Sequence, residues 1–260
     1  MEEFFDNYYQ EGGWQLDDFG ASAYWKRVEY LSDLVKSVGK DMQILDLGCG
    51  KGEVSRYLSD ENTVYGLDIS LIALKAAIEY MAAAVVGDAE KLPFDGQVFD
   101  LVLFSESIYY LDDPIVALKE IRRVLKPHGV LVLTCGTANA PSLWPMLLVL
   151  KVLNRTIRIH TSNGAHWKTE RYTTLKLRKF LKSAGFQIER QIGYFSHIPL
   201  LKKERFIPLM IKLGAFLPMF SSYVFFFARP NRRLRRRRLP APPHLRTVRE
   251  TFTSYRSSIS

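Results

Sequence analysis

Cysteine is scarce in this chain, with Cys49 and Cys135 the only two in 260 residues. They stand far apart and make no ligand spacing with each other or with the five histidines, which excludes a disulfide framework and a zinc module. No metal is expected, and a reducing, cytoplasmic setting fits. Long apolar runs are missing as well. The two best, 141–153 and 206–220, each contain a lysine and fall short of the roughly 20 apolar residues that a bilayer crossing needs. The opening MEEFFDNYYQEGG is acidic where a secretory segment is basic and then apolar, so no signal peptide is expected. Nor does the bulk of the chain carry a charge of one sign. The net charge is +9, and ten arginines from Arg229 onward, set against Glu250 alone, account for all of it. Residues 1–228 are therefore close to neutral. Proline and a like-charge block together make 229–260 an extended, solvated, disordered tail. Such a tail suits an anionic surface. No aromatics interleave its arginine block, so nucleic acid is the less expected partner.

What the chain does have is a strand-then-helix rhythm. Short apolar runs at 42–48, 62–68, 83–88, 99–105 and 129–136 read as strands. Helical spacing occupies 23–38, 53–60, 70–83 with Ser70 as N-cap, and 113–126 with Pro114 in the first turn and Pro127 as the stop. The pattern predicts an α/β, Rossmann-like, doubly wound sheet, mostly parallel and covered on both faces. Beyond Gly136 comes an insertion, 137–172, then a helix at 173–185 and two strand-like runs, 186–195 and 221–228. No crossover helix is evident between those runs, so an antiparallel C-terminal edge is expected. The N-terminal stretch 4–20 is aromatic and turn-rich with no clear period.

The first predicted strand ends in ILDLGCGKG, which places Gly48, Gly50 and Gly52 in the turn that faces a ligand in an open parallel sheet. Glycines there let backbone approach a ligand with no Cβ in the way. A P-loop fails, because Gly50-Lys51 is followed by Gly52 and Leu45 stands where the first glycine belongs. A dinucleotide fingerprint places its third glycine where Glu53 stands, and a carboxylate there would oppose a pyrophosphate.

ILDLGCGKG, VYGLDIS, VVGDAEKLPF, FDLVLFSESIYYLDD and LKEIRRVLKPHGVLVLT resemble, in order and spacing, the successive motifs of class I S-adenosylmethionine (SAM)-dependent methyltransferases. The likeness is to the small-molecule branch that includes the ubiquinone and menaquinone C-methyltransferases, and it covers about 42–195. It implies a SAM-binding domain over 42–228, preceded by a lid and helix at 1–41 and carrying the cap insertion 137–172. SAM is cationic at sulfur and zwitterionic at its amino-acid end, so acids are useful where a phosphate would be repelled. The resemblance implies that Asp46 helps hold the amine and that Asp68 accepts both ribose hydroxyls. Ile69 would pack on the adenine, and Asp88 with Ala89 would read its edge. Ser105 and Glu106 would lie near the methionyl group, and Cys49 would fill space between the loop glycines. Asp46 as a strand-end carboxylate and Asp88 as an Asx-turn residue are the plain structural readings of the same positions. Tyr8, Tyr9 and Trp14 could cover the cofactor as a lid or pack on the sheet edge.

Methyl transfer from a sulfonium is an in-line displacement in which alignment supplies much of the barrier reduction. A base is needed only for an acceptor that must lose a proton. Candidates are Tyr109, Tyr110, Glu106, His160, His166 and His197. The quinone enzymes often have histidine near the positions of Tyr109 and Tyr110, so this chain departs from them there. No Pro-Pro-aromatic follows the fourth strand, Cys135 lacks a preceding proline, and Glu106 is a single glutamate. By the resemblance these absences disfavour nucleic-acid bases and protein arginine, leaving a small-molecule acceptor. The apolar segments 141–153 and 206–220 would line an apolar pocket or lie in a membrane interface, which suggests a lipid, quinone or polyprenyl-like acceptor. An NAD-dependent oxidoreductase and a non-catalytic SAM-binding protein are the alternatives.

Overall fold

The computed structural model describes residues 2–10, 18–137, 158–160, 166–168, 172–194 and 221–231, together with Leu209 and Lys212. Trp14, His197, the segment 141–153, most of 206–220 and the arginines beyond 231 lie outside the described residues. Two helices open the chain, α1 (Glu2–Gln10) and α2 (Asp18–Lys36). The sheet follows with β1 (Gln43–Leu47), β2 (Thr63–Asp68), β3 (Ala83–Val86), β4 (Phe99–Ser105) and β5 (Leu125–Gly136). Helices α3 (Ser55–Leu58), α4 (Leu71–Ala77) and α5 (Pro114–Val124) lie between these strands. A separate antiparallel pair, β6 (Arg158–His160) and β7 (His166–Lys168), precedes α6 (Thr174–Ser183), β8 (Phe186–Tyr194) and β9 (Tyr223–Pro230).

The seven-stranded order is β3-β2-β1-β4-β5-β9-β8. The first five strands are parallel, while β9 runs antiparallel to both β5 and β8. The parallel sheet and the antiparallel C-terminal edge are those expected from sequence. Strand order reverses at β1 and β4, and the first loop therefore opens into the crevice where such sheets bind ligands.

Period-two alternation feeds two cores. Ile44, Leu101, Leu103 and Val132 face Val28, Leu31 and Val35 of α2. Leu45, Val102, Phe104 and Leu133 face Leu118 and Ile121 of α5 and Leu177 of α6 on the other side. Burial of each such side chain contributes about 1.5–3 kcal/mol, and the covered faces explain why these strands read as nearly unbroken apolar runs. Caps set the helix starts: Ser70 accepts from the Ala73 amide, Asp113 from Ile115 and Val116 ahead of α5, and Thr173 from Lys176.

Several boundaries differ from the sequence reading, among them helix α4, which ends at Ala77 where 70–83 was expected, and β5, which begins at Leu125 and not Gly129. Helix α5 stops at Val124 rather than Lys126, because the residue before Pro127 is driven to extended backbone and Leu125 has already turned there. The aperiodic N-terminus forms α1, which has no buried residue and so gave no core pattern to read. Strand β9 takes in Arg229 and Pro230, with Arg229 donating to Glu189 Oε2 at 2.9 Å and the Asn231 amide bonded to Gly185 O at 2.8 Å. Thr137 and Tyr172 meet in a parallel bridge, so the insertion leaves and re-enters the domain at one point. No described helix is long and apolar enough to cross a membrane.

Candidate functional site

The loop after β1 is bent by glycine. Gly48, Gly50 and Gly52 have φ of 67°, 53° and 76°, the left-handed region that side chains avoid. A Cβ on Gly48 would strike Ser107 Oγ, one on Gly50 would lie 2.6 Å from Tyr9 Oη, and one on Gly52 3.2 Å from Ala77 Cβ. Ser107 closes the loop from β4 by donating to Ser105 O at 2.9 Å, with Gly48 O at 3.3 Å. Cys49 is buried and its thiol is pushed well up by burial, which suits a filler and not a nucleophile.

Asp68 anchors the cradle. Its Oδ2 accepts from the Gly50 amide at 2.8 Å and its Oδ1 from the Ser70 amide at 2.9 Å. Burial raises its pKa, against the opposing pull of those backbone donors. Asp46, at 3% exposure, accepts from Ser55 Oγ at 2.5 Å. Burial pushes its carboxyl up to about 7, relieved by Ser55 and reinforced by Glu53 and Asp68. Glu53 is raised by burial too, although Lys51 and Arg27 oppose that rise. Three desolvated carboxylates around one loop form a site that prefers a cation. Among the described residues no group of three or more His, Cys, Asp or Glu side chains is placed to hold a metal ion.

The sign of the Asp46 effect is testable. Its folded pKa of about 7 lies above the ordinary carboxylate value, so the native state holds the proton longer and its stability falls as pH rises from about 4 to 7. Asp46→Asn keeps an acceptor for Ser55 without the buried charge. Thermal melts of the cofactor-free protein should show a higher Tm for the variant, by about 2–4 °C per kcal/mol relieved. The gain should be larger at pH 8 than at pH 5, and an equal gain at both would refute the assignment.

Past β4, Glu106 takes φ 55°, which is unusual for a non-glycine residue. Its carboxylate accepts from Thr134 Oγ1 at 2.9 Å and from the Gly136 amide at 3.0 Å, with Tyr109 Oη at 3.5 Å. Arg27 Nη1 lies 3.6 Å from its Oε1. Tyr109 and Tyr110 pack at 4.6 Å between ring centroids, and burial raises both phenols. They stay protonated at neutral pH and are poor bases.

Helix α1 lies over the loop. Phe5 meets Tyr110 edge-on at 5.1 Å, Tyr9 Oη stands at Gly50, and Asp6 accepts from Ser70 Oγ and from the Ile72 amide. Tyr8 contacts Tyr9 edge-on at 5.1 Å.

The structure thus brings Asp46, Cys49, the three glycines, Asp68, Ser105 and Glu106 around one loop, with Ile69 beside them after β2. Asp88 accepts from the Glu90 amide at 2.8 Å as an Asx turn after β3, and Ala89 packs on the core. His160 and His166 are register partners in the β6-β7 pair. Arg27, Ser55 and Ser107 were not singled out from sequence. A signal existed for Arg27, which falls in the helical stripe with Tyr24, Val28, Leu31 and Val35 and is itself buried.

S-adenosylmethionine fits these residues on two observations. The Cβ-free backbone of Gly48 and Gly50 lets the loop close against Ser107 and Tyr9, and the buried carboxylates around it await positive charge. The comparisons agree. Residues 45–133 match the family described as Methyltransferase domain. A rat protein named arginine-hydroxylase NDUFAF5, mitochondrial, is 37% identical over 107 residues, 39% of this chain and 31% of that protein. A Staphylococcus aureus demethylmenaquinone methyltransferase is 36% identical over 115 residues, 41% of this chain and 47% of that one. The matched segment spans less than half the length of these relatives. In fold, the chain is similar to a SAM-dependent methyltransferase of Thermotoga maritima described as a possible histamine N-methyltransferase. The TM-score is 0.61 at 20% identity, over 89% of this chain and 100% of that one. The matched segment and the fold are similar to those of methyltransferases, and the acidic cradle suits a cationic ligand.

Proposed function

We propose that this chain, whose residues 45–133 match the Methyltransferase domain family, transfers a methyl group from S-adenosylmethionine to a small, apolar or lipid-like acceptor. The carrying observation is the cradle itself: three left-handed glycines held by the doubly bonded Asp68, with Asp46 and Glu53 desolvated beside them. The cofactor supplies a methyl group on a cationic sulfonium. Asp68 would hold the ribose, Asp46 the amine, and Ile69, Asp88 and Ala89 the adenine. The demethylmenaquinone methyltransferase supports a quinone-like acceptor by its name, as do the apolar segments 141–153 and 206–220 by their composition. Protonated Tyr109 and Tyr110 can donate hydrogen bonds that orient the acceptor. Glu106, with its carboxylate already engaged, is best suited to hold the wall of the site. The acceptors favoured by this arrangement have a nucleophilic atom that needs little help losing a proton. By the same reading the enzyme works in a reducing compartment, peripheral to a membrane.

Methyl-labelled cofactor incubated with the protein and a lipid extract should leave label in the organic phase. Label that remains aqueous with apolar and polar acceptor pools alike, while the cofactor binds, would favour a non-catalytic binder or a different reaction. A different reaction has specific support, since the rat relative that shares this segment is named a hydroxylase. Binding of NADH in place of S-adenosylmethionine would replace the reading altogether.

A further inference from the structure

The outer side of α6 carries charge of one sign. The helix TLKLRKFLKS holds Lys176, Arg178, Lys179 and Lys182 and no acid, and no Asp or Glu occurs between Glu170 and Glu189. Thr174, Leu177 and Leu181 are its buried side. At 3.6 residues per turn, Leu175, Lys179 and Lys182 stand in one exposed stripe on the opposite side, with Lys176 flanking it. Leu175 is 61% exposed, more than any other large apolar side chain among the described residues. Acids on the neighbouring elements are already engaged: Glu120 of α5 pairs with Arg123 at 2.7 Å, and Glu189 of β8 with Arg229 at 2.9 Å. Arg122 of α5 adds a further base, its guanidinium lying against Gly185 just past the end of α6.

A lone exposed leucine needs no explanation, and neither does a solvated row of lysines. Here the two coincide in one stripe, and a second block of the same sign begins beside it. The Asn231 amide donates to Gly185 O at 2.8 Å, so the chain enters its arginine block next to the end of α6. Six of the seven residues 232–238 are arginine. Like charges gathered in one place repel, and an anionic surface relieves that repulsion. Lipid is favoured over nucleic acid, because the stripe presents an aliphatic side chain that can enter the acyl boundary while lysines reach the headgroups. It offers no aromatic ring on which a base could stack. We propose that the outer face of α6 docks this domain on an anionic lipid bilayer, with Leu175 at the acyl boundary and Lys176, Lys179 and Lys182 among the headgroups. The proposal gives a face to the membrane-peripheral reading above and rests on that part of it alone.

The test floats the full chain with vesicles of phosphatidylcholine alone and of phosphatidylcholine with about one third phosphatidylglycerol, at physiological salt. Wild type should bind the anionic vesicles about tenfold or more tighter than the neutral ones. A lysine near such a surface contributes about fivefold, so the triple variant Lys176→Gln, Lys179→Gln, Lys182→Gln should lose on the order of 100-fold with the arginine block intact. Leu175→Gln should lose about tenfold on vesicles while its binding to heparin, a polyanion without an acyl boundary, stays at the wild-type level. Thermal melts should match wild type throughout, since all four side chains are exposed. A triple variant that floats like wild type puts the contact in the arginine block, which overturns the proposal. A Leu175→Gln that floats like wild type reduces the face to a general polyanion binder and overturns it too. Equal binding of wild type to both vesicles, or binding to duplex DNA and to neither vesicle, overturns it without any variant. The assay reads binding and not turnover, so docking and methyl transfer fail independently.

Discussion

Asp68→Ala should weaken S-adenosylmethionine binding by more than about 100-fold. The carboxylate accepts the Gly50 amide through one oxygen and the Ser70 amide through the other, and so ties the glycine loop to the start of α4. Hydrogen bonds to a charged acceptor contribute about 1.5–3 kcal/mol each, and alanine leaves two buried amides without a partner. The loop also loses the contact that fixes Gly50 at a φ of 53°, a conformation it would otherwise exchange for others. Calorimetry gives the affinity, and a thermal melt of the same sample gives the accompanying loss of stability. Asp68→Asn is the informative companion. It keeps one acceptor but turns an amide N–H2 toward a backbone donor, so it should rescue little. Affinity within threefold of wild type for the alanine variant would mean that the loop is held by something else.

Gly48→Val should unfold the site by a different route. Valine at a φ of 67° costs about 1–2 kcal/mol in backbone strain, and more for a branched side chain. Its Cβ would also collide with Ser107 Oγ and come within 2.8 Å of Ser107 Cβ. Overpacking of this kind adds about 1–3 kcal/mol, so the total loss is about 2–5 kcal/mol, visible as a large fall in Tm together with lost cofactor binding. The two contributions separate in a double variant. Removing the obstacle with Ser107→Gly should recover the packing share and leave the backbone share. Gly39→Ala is the control, because its added Cβ would meet Met42 Sδ at an ordinary 3.4 Å. If Gly48→Val binds the cofactor normally, the bend at Gly48 is not what shapes the cradle.

The parts of this molecule that were legible in sequence are those whose signals are local. Strands buried on both faces are short apolar runs, and Ser70 as a cap and Pro114 in a first turn announce their helices. The glycines needed for left-handed backbone stand beside one another in the chain. The direction of β9 was legible too, since the sequence shows no crossover-helix pattern between the last two strand-like runs. What stayed hidden depends on distant partners. Helix α1 buries no side chain of its own, so its place shows only through Asp6, Phe5 and Tyr9 touching α4, Tyr110 and Gly50. Ser107 looks like any loop serine until Gly48 is brought against it. The engagement of Glu106 by Thr134 and Gly136 joins the ends of β4 and β5, which no window of sequence contains. Arg27 is the intermediate case, since its position in a buried helical stripe was readable and its partners were not.

The antiparallel course of β9 fixes where the arginine-rich segment is attached. Tyr223 pairs with Gly136 at the cradle end of the sheet, and the strand then runs the other way to Pro230, beside Phe186. Eight extended residues cover about 25 Å, roughly three screening lengths at physiological salt. The chain thus passes into its most basic stretch at the back of the domain, behind the sheet's amino ends. The cradle, at the carboxyl ends of the parallel strands, thus lies a full strand length from the point where the chain leaves β9.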